Sequence, residues 1–159
     1  MAAEYLLTSS IDPIKKGEQY EDSLPRHVTV QQWFTLGYER AFHNALQNYA
    51  TTLTPFEIIG DDEALFGPNN DVPVRKVRNI GRLAAVHTQT KELLEKFGGS
   101  LRRPEWAGTG YNPHVTYVDG IAIDRDETVT LKNIELIKRD EGSTVKTVEF
   151  VLPFSKEAR

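Results

Sequence analysis

Residues 27–34, HVTVQQWF, decide how the chain is read. A strand sends successive side chains to opposite faces. Strict alternation therefore puts His27, Thr29, Gln31 and Trp33 on one side and Val28, Val30, Gln32 and Phe34 on the other. The stretch predicts a strand with one polar face turned toward a ligand. Its opening triplet, His-Val-Thr, returns at His114–Thr116. With 4 His, 14 Thr and 12 Val in 159 residues, such triplets are expected by chance only ~0.03 times.

The triplet spacing has a chemical meaning. Residues i and i+2 of a strand project from one face about 6–7 Å apart, so imidazole and hydroxyl reach one ligand together. Two such strands, side by side or facing across a cleft, would surround a common point with two imidazoles and two hydroxyls, the set a tetrahedral phosphate needs. Cleaving a phosphodiester takes one group that removes a proton from the attacking oxygen and another that protonates the departing one. Histidine serves both roles near neutrality because its ordinary pKa is ~6.5. No metal is then required to make the nucleophile. His27 and His114 are the expected acid–base pair, with His27 protonating the leaving oxygen and His114 activating water, roles that could be exchanged. Thr29 and Thr116 are expected to hold the non-bridging oxygens.

Outward from these motifs the pattern is mixed α and β. Residues 4–10 (EYLLTSS) read as a strand, followed by a polar loop containing Pro13, Gly17 and Pro25. A helix is expected over 36–50, from Tyr38, Phe42, Ala45, Leu46 and Tyr49 at helical spacing. FEIIG and EALFG, then VPVRKVR beyond the turn Gly67-Pro68-Asn69-Asn70, predict a central β-hairpin. A second helix is expected from Ile80 to Phe97, stopped by Gly98-Gly99. An Arg-, Gly- and aromatic-rich loop, LRRPEWAGTGY, leads into the strand NPHVTYV. The last two strand-like segments, TVTLKNIELIKRD and STVKTVEFVL, form a hairpin about Glu141-Gly142. No linker divides the chain, so a single domain over 1–159 is expected.

Composition narrows the function classes. Hydrophobic residues make up 39% and charged residues 26%, the balance of a globular domain. There is no basic leader with an apolar run, nor any ~18-residue apolar stretch, so a cytoplasmic protein without membrane contact is expected. The absence of cysteine excludes disulfides, thiolate metal sites and cysteine nucleophiles. A net charge of −4 argues against a protein that coats nucleic acid, because counterion release needs many surface cations.

Further residues are candidates for substrate contact. Arg26, Arg102 and Arg103 could hold a phosphate, and Trp33, Trp106, Tyr111 and Tyr117 could stack on a base. His43 is expected to be solvated on the outer face of the first helix, and His87 to be a hydrogen-bonded core or boundary residue of the second. Asp61, Asp62 and Asp119 read as acidic loop positions; there is no HExxH or EF-hand spacing, so no metal site is expected.

HVTV at 27–30 and HVTY at 114–117, preceded by LPR and YNP, resemble the paired H-x-[ST]-x signature of the two-histidine (2H) phosphoesterases, which include 2′-5′ RNA ligase-like proteins and RNA 2′,3′-cyclic phosphodiesterases. The likeness of layout covers nearly the whole chain. It implies a bilobed α+β fold with pseudo-two-fold symmetry, in which two antiparallel sheets flank a cleft, each contributes one motif, and the helices lie outside. It further implies metal-independent opening of cyclic phosphates without a cofactor and, in some members, ATP-independent 2′-5′ ligation; accordingly no GxxxxGK[ST] loop occurs. The chain lacks a long basic insertion, which favours short oligonucleotides or mononucleotides over structured RNA. The expected partner is an RNA 3′ end or small nucleotide bearing a cyclic phosphate, met by a monomer. The competing expectation is a non-catalytic module that binds phosphorylated RNA ends or nucleotides with the same groups.

Overall fold

The computed structural model describes residues 3–155, so both ends of the expected 1–159 span lie outside it. In chain order the strands are β1 (Ala3–Ser10), β2 (Gln19–Tyr20), β3 (His27–Thr35), β4 (Phe56–Phe66), β5 (Val72–Arg78), β6 (Ser100–Leu101), β7 (His114–Thr116), β8 (Thr128–Leu131), β9 (Asn133–Asp140) and β10 (Lys146–Pro153). The helices are α1 (Glu39–Ala50) and α2 (Gly81–Lys96). The strands pair antiparallel in the order β2-β10-β9-β1-β3-β7-β5-β4-β8, with β6 also on β3. The sheet curls into a half-barrel with the helices packed against it.

This corrects the expectation of two sheets. The half built on β1, β9 and β10 and the half built on β5, β4 and β8 belong to one hydrogen-bonded sheet. They meet at the β3–β7 ladder, whose register is the pair Val28↔Val115. β7 is only a triplet long, much shorter than the strand expected over NPHVTYV, because the chain turns at Asp119-Gly120, both at positive φ.

The helices and strands form for legible reasons. In α1, Phe42, Leu46 and Ala50 lie one turn apart and are buried. In α2, Leu83, Val86, His87, Thr90 and Leu94 form the buried stripe. Its end at Lys96 follows the Gly98-Gly99 signal: Gly98 takes a φ of +75° and Gly99 N–H returns to the Leu94 carbonyl at 2.6 Å. Val28 and Val115, both fully buried, lie in one apolar cluster with Phe42, Leu46 and Leu83. Each such side chain contributes roughly 1.5–3 kcal/mol through burial. A smaller cluster, Leu6, Ile14, Leu24, Ile137 and Val148, sits beneath the 11–26 loop.

Three further expectations shift. FEIIG and EALFG are one strand, β4, kinked by a bulge between Gly60 and Glu63. The C-terminal pair is not a simple hairpin: β8 leaves to pair with β4, and only β9 and β10 join across Glu141-Gly142. The first helix starts at Glu39 rather than 36, because Gly37 lies against Gly98 and Tyr38 N–H bonds the Phe97 carbonyl, holding the turn outside the helix.

Candidate functional site

Both motifs lie on adjacent strands at the seam of the sheet. Since Val28 pairs with Val115 in an antiparallel ladder, His27 stands opposite Thr116 and Thr29 opposite His114. Directly opposed residues share a face and sit about 4.5–5.5 Å apart at Cβ, closer than i and i+2 on one strand. The register therefore sets the Cβ of each histidine closer to that of the other motif's threonine than to that of its own. The two valines point to the apolar cluster, which turns all four polar side chains to the opposite face.

The rings are held alike. His27 Nδ1 lies 2.8 Å from the Pro25 carbonyl, and His114 Nδ1 lies 2.9 Å from the Asn112 carbonyl. A carbonyl oxygen only accepts, so Nδ1 carries the proton in both rings and donates it. Nε2 of each ring remains to exchange a proton with a ligand. Burial lowers the pKa of both histidines from the ordinary value. For His27 the positive charges of His114 and Lys146 lower it further.

Beside His114 and Thr29 opens a cavity of about 870 Å³, which His27 and Thr116 do not line. One wall is the loop before β7, with Arg103, Trp106 and Tyr111; the other is the β4–β5 hairpin tip, with Leu65, Phe66 and Val72. Thr29, Gln32 and His114 line the cavity between them. Leu65 and Trp106 are 57% and 51% exposed, large apolar groups left open at its mouth. The Phe66 ring meets His114 edge-on, with centroids 4.6 Å apart. The hairpin wall was missed from sequence; its signal was the apolar pair Leu65-Phe66 beside the Gly67-Pro68 turn, of which Leu65 is exposed and Phe66 half-buried.

The other candidates divide. Arg103 lines the cavity and lies over the Trp106 ring at 5.4 Å. Tyr111 also lines it, while its hydroxyl donates to the Thr29 carbonyl at 2.7 Å. Arg26 is engaged elsewhere: its guanidinium pairs with Asp12 at 2.8 Å and donates to the Ala122 carbonyl, tying the 11–26 loop to the segment between β7 and β8. Arg102 faces Glu4 at 3.4 Å. Trp33 packs against the smaller cluster under the Arg139 guanidinium, 3.9 Å from its ring. The Tyr117 hydroxyl donates to Glu63 at 2.8 Å, beside Arg75. None of these four lines the cavity.

The strict alternation read for β3 holds only to Val30. Its pairing with β1 slips twice, through Thr8↔Thr29, Leu7↔Gln31 and Tyr5↔Phe34. Gln31 is thereby buried against α2, donating to the His87 carbonyl and, at 3.0 Å, to the Thr90 hydroxyl, and Gln32 turns to the cavity instead. His43 is not freely solvated either; its ring stacks on Phe150 at 3.6 Å.

Sequence reasoning also passed over Glu135. It is fully buried on β9, opposite Thr8, which is in turn opposite Thr29. Its Oε1 accepts from the Thr8 hydroxyl at 2.9 Å, and its Oε2 has no hydrogen-bond partner. Burial pushes this carboxyl up to about 7, although Thr8 and Ser10 act in the opposite direction.

Among the described residues no helix is long and apolar enough to cross a membrane, and no group of three or more His, Asp or Glu is placed to hold a metal ion.

Comparison with known proteins adds to this geometry. No curated protein matches the chain by sequence. Several solved structures share the fold. E. coli LigT complexed with 3′-AMP superposes with a TM-score of 0.60 at 14% identity, covering 98% of this chain and 100% of that one. A structure described as a phosphoesterase gives 0.59 at 13% identity, covering 96% and 99%. TT0787 of Thermus thermophilus gives 0.55 at 17% identity, covering 99% and 100%. The family model of the 2′-5′ RNA ligase superfamily matches residues 7–151, which include both His-Val-Thr triplets and the strands that carry them. On that match, the chain belongs to the 2′-5′ RNA ligase superfamily, the group of 2H phosphoesterases.

Proposed function

We propose that the protein is a metal-independent phosphodiesterase that opens 2′,3′-cyclic phosphates on RNA ends or small nucleotides, working as a monomeric, cytoplasmic, single-domain enzyme. The observation that carries this reading is the opposition of His27 to Thr116 and of Thr29 to His114 on one face of the sheet, with both Nδ1 atoms bound to carbonyls. One neutral ring takes a proton from water as its oxygen bonds to phosphorus. The other, protonated, gives its proton to the ribose oxygen as the P–O bond breaks, and the threonine hydroxyls donate to the non-bridging oxygens. The same steps with a ribose 5′-hydroxyl in place of water amount to 2′-5′ ligation. The cations beside His27 favour its neutral form, which supports His27 as the base and His114 as the acid, the exchange of the roles first expected. The equivalent anchoring of both rings supports reading the two halves of the sheet as related lobes.

The cavity's volume lies within the ~300–1,000 Å³ of small-ligand sites, and its apolar walls suit a nucleobase. LigT has been crystallised with 3′-AMP and with NADP+, nucleotides of the size proposed here. The decisive experiment incubates the protein with 2′,3′-cyclic nucleotides and a cyclic-ended oligonucleotide, with and without chelator. A new phosphomonoester that persists in chelator and falls 10²–10⁴-fold in His27→Ala and His114→Ala is the expected result. Turnover abolished by chelator but retained in both variants overturns the mechanism. Binding without product would assign the cleft to a module that recognises phosphorylated ends.

A further inference from the structure

Between Val28 and Phe34, β3 has no strand partner on its β7 side: β7 covers Val28, and β6 resumes only at Phe34. Buried backbone carbonyls in such a gap need other donors. Two side chains supply them. The Tyr111 hydroxyl donates to the Thr29 carbonyl at 2.7 Å, and His87 Nδ1 donates to the Val30 carbonyl at 2.8 Å. These two rings lie parallel, 3.9 Å apart at their centroids. The remaining His87 nitrogen, Nε2, accepts the backbone N–H of Gly108 at 3.1 Å.

Both nitrogens of His87 are thus committed, one as donor and one as acceptor, which fixes a neutral ring with its proton on Nδ1. What it fastens is the wall of the cavity, because Gly108 and Tyr111 belong to the loop that presents Arg103 and Trp106. We propose that His87 and Tyr111 are positioning residues that clamp this loop and the Thr29 backbone together, and that the clamp releases when His87 gains a second proton. A doubly protonated ring sets an N–H against the Gly108 N–H, so the contact becomes repulsive and the loop loses its hold. Lys91 on α2 is the charged group that acts on it and Tyr111 is the titratable group from the loop, while β3 presents the Val30 carbonyl and the uncharged Gln31 amide. Burial lowers the His87 pKa, and Lys91 lowers it further.

The inference rests on the proposed phosphodiesterase reading for its kinetic arm only. The structural arm follows the His87 ring nitrogens by NMR together with amide exchange at Gly108 across pH 4–8. The expected result is a neutral Nδ1–H ring at neutral pH, and at least a ten-fold loss of Gly108 protection, taken relative to the intrinsic exchange rate at each pH, as the ring gains its second proton. In Tyr111→Phe, which keeps the stacking ring and loses the hydroxyl, KM for 2′,3′-cyclic AMP is expected to rise about ten-fold with kcat changed less than three-fold. Wild-type KM should rise further at pH values below the His87 titration, and in His87→Gln that additional rise should vanish. A ring protonated on Nε2 at neutral pH, or Gly108 exchange indifferent to its titration, overturns the clamp even if the protein turns over no cyclic phosphate. A fall in Tyr111→Phe thermal stability with unchanged KM overturns the positioning role. Should His87→Gln fail to fold, the wild-type titration and Tyr111→Phe decide the matter.

Discussion

Val28 and Val115 face each other across the ladder that joins the two halves of the sheet, and this pairing sets each histidine beside the threonine of the other triplet. Coupling should therefore run across strands. In double-mutant cycles on kcat/KM, His27→Ala with Thr116→Val and His114→Ala with Thr29→Val should show interaction energies of about 1 kcal/mol or more. The within-triplet cycles should fall well below that. Equal coupling in all four cycles would refute the cross-strand arrangement.

The pH profile should lie on the acid side. The proposed mechanism needs one neutral and one protonated imidazole, and burial lowers the pKa of both. The kcat/KM bell, whose limbs belong to the coupled pair, should therefore peak below the ordinary histidine value of ~6.5 and decline as pH rises through neutrality. The bound phosphodiester anion favours both protonated forms, so the kcat profile should sit higher in pH than that of kcat/KM. A kcat/KM optimum above pH 8 would contradict this.

Phe66 is the edge contact that helps keep water from His114. Truncation in Phe66→Ala should let the ring hydrate and raise its pKa toward the ordinary value, since desolvation is the leading cause of its depression. NMR titration of His114 reads the change directly; an unmoved pKa would show that other groups account for the desolvation.

Glu135 makes stability depend on pH. Its folded-state value of about 7 stands above the 4.5 of an unperturbed carboxyl. Between those values the folded chain binds more protons than the unfolded one, so stability falls as pH rises through this window and levels off above it. The whole effect is on the order of 3 kcal/mol at most. Glu135→Gln should remove this slope from denaturant midpoints measured between pH 4.5 and 8, and an unchanged slope would assign the dependence to other groups.

Gly60 marks the β4 kink, where an added Cβ would collide with the Asp124 carbonyl. The Gly60 amide and carbonyl are also bonded to Glu127 and Asp126 at 2.9 Å, so the backbone has little room to yield. Gly60→Ala should cost about 1–3 kcal/mol, a drop of several degrees in Tm. A variant with wild-type Tm would mean that the kink relaxes freely.

The motifs were legible because alternation and repetition are local properties of a strand. The helices were legible from Phe42, Leu46, Leu83 and Leu94 at helical spacing, and α2 from its Gly98-Gly99 stop. What failed depended on partners. The side that Gln31 and Gln32 face is set by slips against β1, which no pattern within β3 reveals. Arg26 and Arg102 read as free cations until Asp12 and Glu4 are found beside them. The cavity wall at Leu65 and Phe66 comes from a hairpin whose approach to His114 depends on the β5–β7 ladder, where Lys76 pairs with His114. The two-sheet expectation came from the family likeness; the residue pattern itself left the two motif strands side by side or across a cleft, and only the Val28↔Val115 pairing decides for side by side.

That narrow junction has a mechanical consequence. A sheet joined through so short a ladder bends most easily there, much as a book opens at its spine, and points on a bending axis travel least. The imidazoles stand on the spine, whereas Trp106 and Leu65 stand on the covers. On the proposed function, a nucleotide would enter between these covers while the proton transfers take place at the spine, so admission and chemistry would place separate demands on the same few strands.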